Sequence, residues 1–140
     1  MKKNNLILGT FLAITAILFS SCGKSDQFKH GGFVVYEKNG HGLVAATTDL
    51  GREDWESAKW VCDKLILNGY SDWHLPTKEE NYALYVNFKQ LGVGGFDVSS
   101  YYWSSTEYYN DGAWVQDFDN GEQNYSYRFN LYYVRAVRAF

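Results

Sequence analysis

The chain has 140 residues, with 13 lysines and arginines against 16 acidic residues and a formal net charge of −3. This mildly acidic balance excludes most nucleic-acid-binding proteins, because phosphate contacts need clustered lysine and arginine side chains. The length suits one compact domain and does not comfortably hold two.

The first segment, residues 1–21, has the features of a secretory signal peptide. Two lysines precede an apolar run at residues 6–19, and small residues stand directly before Cys22. This ending resembles a bacterial lipoprotein signal, in which the cysteine is acylated and becomes the first mature residue. A plain signal peptide or a membrane helix is the alternative, but a span needs about 20 apolar residues. We predict lipidation at Cys22, and Gly23 after it favours the outer membrane, at the cell surface or the periplasmic face.

Residues 22–31 are polar and contain glycines, which is typical of a tether between a lipid anchor and a domain. The domain itself is predicted to span residues 32–140. Because Cys22 is the lipid site, Cys62 has no partner for an intramolecular disulfide, and the domain must be held together by core packing.

Local patterns predict a hairpin followed by a helix. β-Prone runs at residues 33–36 and 43–46 flank Asn39-Gly40, a pair typical of a two-residue turn. Residues 54–67 are predicted to form a helix that ends at Asn68-Gly69. Its apolar stripe includes Cys62, which we expect to be a buried, unreactive thiol.

A capping box, Thr77-Lys-Glu-Glu80, opens a second helix that is predicted to end at about Leu91. Leu84 and Phe88 are expected on its inner side. Further strands are predicted at residues 102–105, 113–118 and 132–138, with a turn at residues 119–121. Two helices among short strands indicate an α+β domain with an antiparallel sheet.

Candidate metal-binding and catalytic groups have simpler structural interpretations. Residues 117–122 resemble a calcium loop, but glycine stands at the fifth position and Arg128 at the twelfth, where an EF-hand needs glycine sixth and glutamate twelfth. A hairpin turn explains them better. The three histidines lack metal-ligand spacing, and no nucleophile motif is present. We predict no metal, no cofactor and no enzymatic activity.

Four motifs in order carry a resemblance to a known family: Gly69–Glu80, Tyr102–Glu107, Ala113–Phe118 and Tyr133–Arg138. They resemble the collagen-like adhesin C-terminal (Lcl-C) domain family, over roughly residues 32–140. The resemblance implies a C-type-lectin-like fold, with two helices packed on a twisted antiparallel sheet and a loop-rich binding face. It also implies adhesion to glycans or proteins without catalysis. The calcium-dependent sugar signatures of animal C-type lectins are absent, and a lone Cys62 lacks the cysteine pair of the related formylglycine-generating enzymes.

Most residues of these motifs are expected to belong to the scaffold. The core and corner positions are Trp73, Leu75, Pro76 and Trp103. Arg135 and Arg138 are predicted to lie in the last strand. There they either pair with carboxylates near Glu79 and Glu80 or at Glu107, or contact a ligand.

The last forty residues contain eight of the twelve tyrosines, four asparagines and no lysine. Tyrosine offers a large, rigid contact surface with a polar tip, and asparagine adds adaptable hydrogen bonding, so this composition is typical of binding surfaces. The predicted ligand-contact residues are Tyr108, Tyr109, Asn110, Asp111, Asn124, Tyr125, Tyr127 and Arg128. Trp114 is expected either as the floor of this site or as core, with core slightly favoured.

The tyrosine-rich segment also suggests sequence diversification. C-type-lectin-like domains serve as display platforms in targets of diversity-generating retroelements, whose reverse transcriptase mutates adenines, chiefly in AAC or AAT codons. Such changes reach tyrosine, aspartate and serine, but never lysine, glutamate or tryptophan. Residues 108–111, 119–120, 124–127, 130 and 132 fall in the reachable set, whereas Trp114 and the last seven residues include types outside it. We therefore predict that residues 108–132 form a diversified binding face. The ordinary alternative is that tyrosine and asparagine are common in strands and turns.

The sequence therefore predicts a lipid-anchored, monomeric module for ligand binding or adhesion, with a glycan or protein ligand and no nucleic-acid partner. The alternative is a structural accessory lipoprotein whose tyrosine-rich surface docks permanently onto an envelope complex. An obligate interface of that kind is expected to make the isolated domain poorly soluble.

Overall fold

The computed structural model describes residues 27–89 and 94–140. The predicted signal peptide, the lipidation at Cys22 and residues 22–26 of the predicted tether lie outside the described residues, as does Leu91 at the predicted end of the second helix. The rest of the predicted tether, residues 27–31, is described and includes a short strand at Phe28–Lys29. Within those two ranges, no helix is long and apolar enough to cross a membrane.

Two helices and two sheets make up the described part of the chain. The helices are α1 (Trp55–Asp63) and α2 (Lys78–Leu84). The strands are β1 (Phe28–Lys29), β2 (Gly32–Lys38), β3 (His41–Ala45), β4 (Arg52–Glu53), β5 (Tyr101–Tyr108), β6 (Gly112–Asp117), β7 (Gln123–Tyr127), β8 (Tyr132–Tyr133) and β9 (Val137–Ala139). One sheet has the order β1-β2-β3-β9 and the other the order β4-β8-β5-β6-β7. All pairs are antiparallel except β5 with β8, so the predicted α+β class with two helices on antiparallel sheets is confirmed.

The β2–β3 hairpin confirms the turn predicted at Asn39-Gly40. Asn39 has a φ of 54° and Gly40 a φ of 80°, which are the positive values that this two-residue turn requires. Lys38 pairs with His41 directly across it.

Helix α1 begins after Asp54, whose Oδ1 accepts a hydrogen bond from the Ser57 backbone N–H at 2.9 Å. Its buried stripe consists of Trp55, Ala58 and Cys62. Burial raises the pKa of the Cys62 thiol to about 12, as expected for a thiol inside an apolar core. The prediction of a buried cysteine is confirmed.

The predicted end of α1 is wrong. The helix ends at Asp63, and Asn68-Gly69 instead forms a separate tight turn, with φ values of 52° and 84°. Leu67 and Tyr70 exchange two backbone hydrogen bonds of 3.0 Å across that turn. The two-residue turn therefore uses the asparagine and glycine that a helix stop would also favour.

Helix α2 begins with the predicted capping box. The Thr77 hydroxyl accepts from the Glu80 backbone N–H at 3.2 Å, and the Glu80 carboxylate accepts from the Thr77 N–H at 2.9 Å. After Leu84 the helix continues as a π-helical segment at Tyr85–Lys89, which the sequence did not indicate. Leu84 and Phe88 are buried, as predicted.

The five-stranded sheet lies between two apolar clusters. Trp103, Ala113 and Val115 face the cluster that includes α1. Tyr102 and Phe118 face the cluster that includes α2. The predicted scaffold residues are buried, namely Trp73, Leu75, Pro76 and Trp103.

The strand predicted at residues 132–138 is two strands separated by a buried crossing at residues 134–136. Arg135 lies in this crossing, fully buried, and its Nε is 2.6 Å from Asp49 Oδ1. Arg138 lies in β9 and pairs with Asp72. The carboxylate partners that the sequence indicated for the two arginines are therefore wrong, because the true partners lie in loops that the fold brings close.

Candidate ligand-binding face

Helix α2 covers only part of one face of the five-stranded sheet. In β6, Ala113 and Val115 are buried toward α1, so Trp114 and Gln116 point to the opposite face. Gln123, which pairs with Gln116, donates from Nε2 to the carbonyl of Lys78 at 2.7 Å. Because Lys78 is the first residue of α2, no helix of the described residues covers this face of the sheet beyond this point.

Aromatic side chains occupy the uncovered part of the sheet. They are Tyr108, Tyr109, Trp114, Tyr125 and Tyr127, and we call this surface the tyrosine face. The register of β6 and β7 places Trp114 opposite Tyr125, and Tyr127 opposite Gly112. Tyr108, at the end of β5, also pairs with Gly112, so the three strands of this part of the sheet each contribute to one surface.

The aromatic rings contact one another in a fixed arrangement around Tyr108. Its ring stacks on that of Tyr125 with centroids 4.4 Å apart and an interplanar angle of 16°. The Trp114 ring meets it edge to face at 5.2 Å and the Tyr109 ring at 4.6 Å. Such aromatic pairs add about 0.5–1.5 kcal/mol each beyond their buried area. The rings of Tyr108, Tyr109, Trp114 and Tyr125 therefore hold one another in place.

Lys78 borders the tyrosine face and covers the Trp114 ring. Its ammonium lies 3.3 Å from the ring centroid, a cation–π contact. The Lys78 backbone N–H donates to Thr106 Oγ1 at 2.9 Å, which fixes the start of α2 against β5. Trp114 is half-buried and belongs to neither apolar cluster. It is the floor of the face, and the slight preference for a core position was wrong.

The β5–β6 turn adds the predicted residues Tyr109, Asn110 and Asp111 at one end of the face. All three side chains are exposed, and Tyr109 is 78% exposed. Tyr109 has a φ of 51°, a left-handed conformation that costs a tyrosine about 1–2 kcal/mol. The turn therefore presents a tyrosine where glycine or asparagine is the less strained choice.

Asn124 does not share a surface with the tyrosines. It pairs with Val115 in the register of β6 and β7, and Val115 is buried on the α1 side. Since side chains directly opposite each other lie on the same face, Asn124 points away from Tyr125 and Tyr127. It is exposed at the sheet edge, on the wrong side for the predicted site.

Arg128 also points to the α1 side, where it has a structural role. Its guanidinium lies 4.2 Å from the centroid of the Trp55 ring, and its Nη2 is 3.2 Å from Glu107 Oε2. Further hydrogen bonds go to the carbonyls of Tyr109 and Gly112, at 3.3 and 3.4 Å. These contacts hold the β5–β6 turn against α1, so Arg128 stabilises the tyrosine face from the opposite side of the sheet.

Two residues that the sequence reasoning missed extend the surface. Lys78 belongs to a capping motif that appeared fully explained by helix initiation. Phe129 is 73% exposed and stacks on Tyr127, with ring centroids 5.5 Å apart and an interplanar angle of 4°. The signal in the sequence that could have identified it is the spacing, because Tyr125, Tyr127 and Phe129 are aromatic residues at every second position.

The acidic residues near the face serve the turn at residues 119–121. Asp117 Oδ1 accepts from the Asp119 N–H at 2.7 Å, and Asn120 Oδ1 accepts from the Glu122 N–H at 2.8 Å. These bonds fit the hairpin interpretation of the calcium-like sequence. No group of three or more histidine, cysteine, aspartate or glutamate side chains positioned to hold a metal is found in the described ranges.

The Lcl C-terminal domain family matches residues 36–138. The chain belongs to this family. The match runs from β2 to β9 and includes the entire tyrosine face. Among solved structures, this Lcl C-terminal domain is similar to one described as the crystal structure of botrocetin, with 10% sequence identity and a TM-score of 0.48, over 74% of this chain and 93% of that chain. No curated protein matches the sequence significantly.

Proposed function

We propose that this Lcl C-terminal domain protein is a lipid-anchored module for ligand binding or adhesion, and that the tyrosine face contacts a glycan or a protein. The observation that carries this proposal is a cluster of aromatic rings packed around Tyr108 and open to solvent, with Tyr125 57% exposed. Beside it, Tyr127 is 51% exposed and stacks on Phe129. Rigid aromatic surfaces with polar tips bind ligands with little loss of side-chain entropy. We propose binding without catalysis.

The proposal is tested with the full chain on an array of oligosaccharides and a panel of extracellular proteins. Tyr125→Ala is expected to weaken any binding that the unaltered chain shows. Tyr82→Ala is the matched control, because Tyr82 is 50% exposed but lies on α2. Equal loss in both variants, or no loss in Tyr125→Ala, would contradict a role for the tyrosine face.

The proposed anchor is a lipid on Cys22, which places the domain at the outer membrane. Growth with an alkyne-bearing palmitate is expected to label the unaltered chain and not Cys22→Ser. The variant is expected to leave the membrane fraction. Labelling that persists in Cys22→Ser would refute this anchor and leave the binding proposal untouched.

A docking partner in an envelope complex is the second candidate function. It is favoured by exposed apolar side chains after β7, since Phe129, which stacks on Tyr127, is 73% exposed and Leu131 is 54% exposed. Large exposed apolar surfaces typically mark protein interfaces. Co-purification of one envelope protein in fixed stoichiometry, lost in Phe129→Ser, would favour this candidate over glycan binding.

Diversification is proposed for a smaller set of positions than residues 108–132. Ser126 is buried and donates to the Tyr132 hydroxyl at 3.1 Å, and Asn130 donates to Ser126 at 2.8 Å. Varying these three residues would disrupt the scaffold, so the proposal concerns residues 108–111, Tyr125 and Tyr127. Sequencing their codons across one bacterial population tests it, because a uniform sequence would rule diversification out.

A further inference from the structure

The edge strand β7 has unused backbone hydrogen-bonding groups. It is the last strand of its sheet, with β6 on one side only. The Arg128 N–H donates to Asp111 O and the Asp117 N–H to Glu122 O. Hydrogen-bonded pairs in an antiparallel ladder recur at every second residue. The backbone N–H and C=O groups of the even-numbered residues of β7 therefore point toward β6. The groups that point outward are the N–H and C=O groups of Gln123, Tyr125 and Tyr127.

The other sheet edges in the described ranges are short or occupied. β1 and β4 have two residues each. The outer side of β9 is taken by His74, which exchanges backbone hydrogen bonds of 2.8 and 2.9 Å with Val137. β7 has five residues and neither lysine nor proline, the residues that usually protect an edge. Among the described residues, only the Tyr127 carbonyl has an outside partner, the Asn130 N–H at 3.0 Å.

We propose that β7 pairs with β7 of a second copy of this chain, antiparallel and centred on Tyr125. In this register Gln123 lies opposite the partner's Tyr127, and Glu122 lies opposite the partner's Arg128. The strand Gln-Asn-Tyr-Ser-Tyr carries no charge, so self-pairing opposes no like charges, while the flanking residues bring opposite charges together at both ends. This complementarity favours a second copy over an unrelated strand.

The pairing joins two five-stranded sheets into one of ten strands. Residues directly opposite each other in an antiparallel pair point to the same face. The two tyrosine faces therefore lie side by side, and a ligand with repeated epitopes engages both, with a gain from multivalency. The dimer departs from the monomer that the sequence indicated, and it does not depend on the proposed function.

A cysteine at position 125 tests the register in the full chain, purified in detergent. Opposite residues of a hydrogen-bonded antiparallel pair have Cα atoms about 5.5 Å apart, within disulfide range. Tyr125→Cys is expected to form a disulfide-linked dimer under mild oxidation. Gln123→Cys alone is expected to form no disulfide-linked dimer, because position 123 lies opposite the partner's position 127. The double variant Gln123→Cys with Tyr127→Cys is expected to form the dimer again. Tyr82→Cys is the control, because Tyr82 is about as exposed as Tyr125. Like the other variants it retains Cys22 and Cys62, so it also reports any cross-linking through those two cysteines.

Light scattering tests the association without cysteines. The unaltered chain is expected to be dimeric and Tyr125→Pro monomeric. The variant loses the ring stacked on Tyr108, but it is expected to keep a cooperative urea transition, because the Tyr125 N–H serves no strand within the fold. A monomeric unaltered chain would overturn the proposal. Cross-linking of Tyr125→Cys no stronger than that of Tyr82→Cys, or to a different protein, would overturn it equally.

Discussion

The substitution Asp49→Asn is expected to destabilise the domain strongly, because it removes the counter-charge of a buried arginine. The Arg135 side chain has no exposed surface, and its Nε is 2.6 Å from Asp49 Oδ1. The Nη1 and Nη2 atoms of the same guanidinium donate to the carbonyls of Ala46, Gly94 and Gly95 at 2.6–3.1 Å. Asp49 Oδ2 also accepts from the Tyr102 hydroxyl at 3.0 Å. Asparagine keeps an acceptor oxygen but leaves the guanidinium charge uncompensated.

Breaking a buried ion pair by removing one partner costs about 3–5 kcal/mol. We expect about 3 kcal/mol, at the lower end of that range, because asparagine still accepts one hydrogen bond. Urea unfolding followed by tryptophan fluorescence measures it, and for a domain of this size the midpoint is expected to fall by about 2 M. Such a loss is a large fraction of the stability of a typical domain, about 5–15 kcal/mol.

Asp72→Asn is the matched control for this experiment. Asp72 pairs with Arg138, but its side chain is 61% exposed, and exposed ion pairs contribute about 0–1 kcal/mol. Equal midpoints for the two variants, or a loss below about 1 kcal/mol for Asp49→Asn, would refute the reasoning that burial sets the cost.

Three further predictions concern pH, packing and thiol reactivity. The pKa of His74 in the folded state lies above the ordinary 6.5, chiefly because of its hydrogen bond to Glu80. The stabilisation from this pair is therefore complete below pH 6.5 and is lost as the pH rises through the folded-state pKa. His74→Asn is expected to remove this pH dependence of the urea midpoint between about pH 6 and 8. Gly112→Ala is expected to lower the thermal midpoint, because its Cβ would lie 2.9 Å from the Tyr108 carbonyl oxygen, and overpacking costs about 1–3 kcal/mol; an unchanged midpoint would show that the strand shifts freely. Cys62, with a thiol pKa of about 12, is expected to react with iodoacetamide in urea but not in the native state, and rapid native labelling would contradict its burial.

The elements that could be predicted from the sequence are those whose signals are local. The Asn39-Gly40 turn needs two positive φ values, and few other residue pairs supply them. The capping box at Thr77 and Glu80 satisfies two backbone donors through side chains three residues apart. In both cases the residues that determine the structure are neighbours in the chain, so no knowledge of the tertiary fold is required.

The elements that could not be predicted depend on contacts between distant residues. Arg135 reads as a strand residue, but its partner Asp49 is 86 positions away. β7 has a polar sequence with little strand signal of its own, and pairing with β6 is what makes it a strand. The candidate site likewise combines a feature that is local in the sequence with one that depends on distant contacts. Composition identified the tyrosines, whereas only the register separates Tyr125 and Tyr127 from Asn124.

The tyrosine face follows from a mismatch between the sheet and the helix that covers it. α2 begins at Lys78, level with Gln123, while β5 and β6 continue to their turn at residues 109–111. An uncovered hairpin is marginally stable in water, so the aromatic rings that pack on one another supply the contacts a helix would have made. Tyr108 takes part in three of those ring contacts, whereas Tyr127 contacts only Phe129 among the aromatic residues of the described ranges. Tyr108→Ala is therefore expected to lower both the thermal midpoint and ligand binding, and Tyr127→Ala to lower binding alone. Equal thermal losses in the two variants would show that the ring cluster does not support the hairpin.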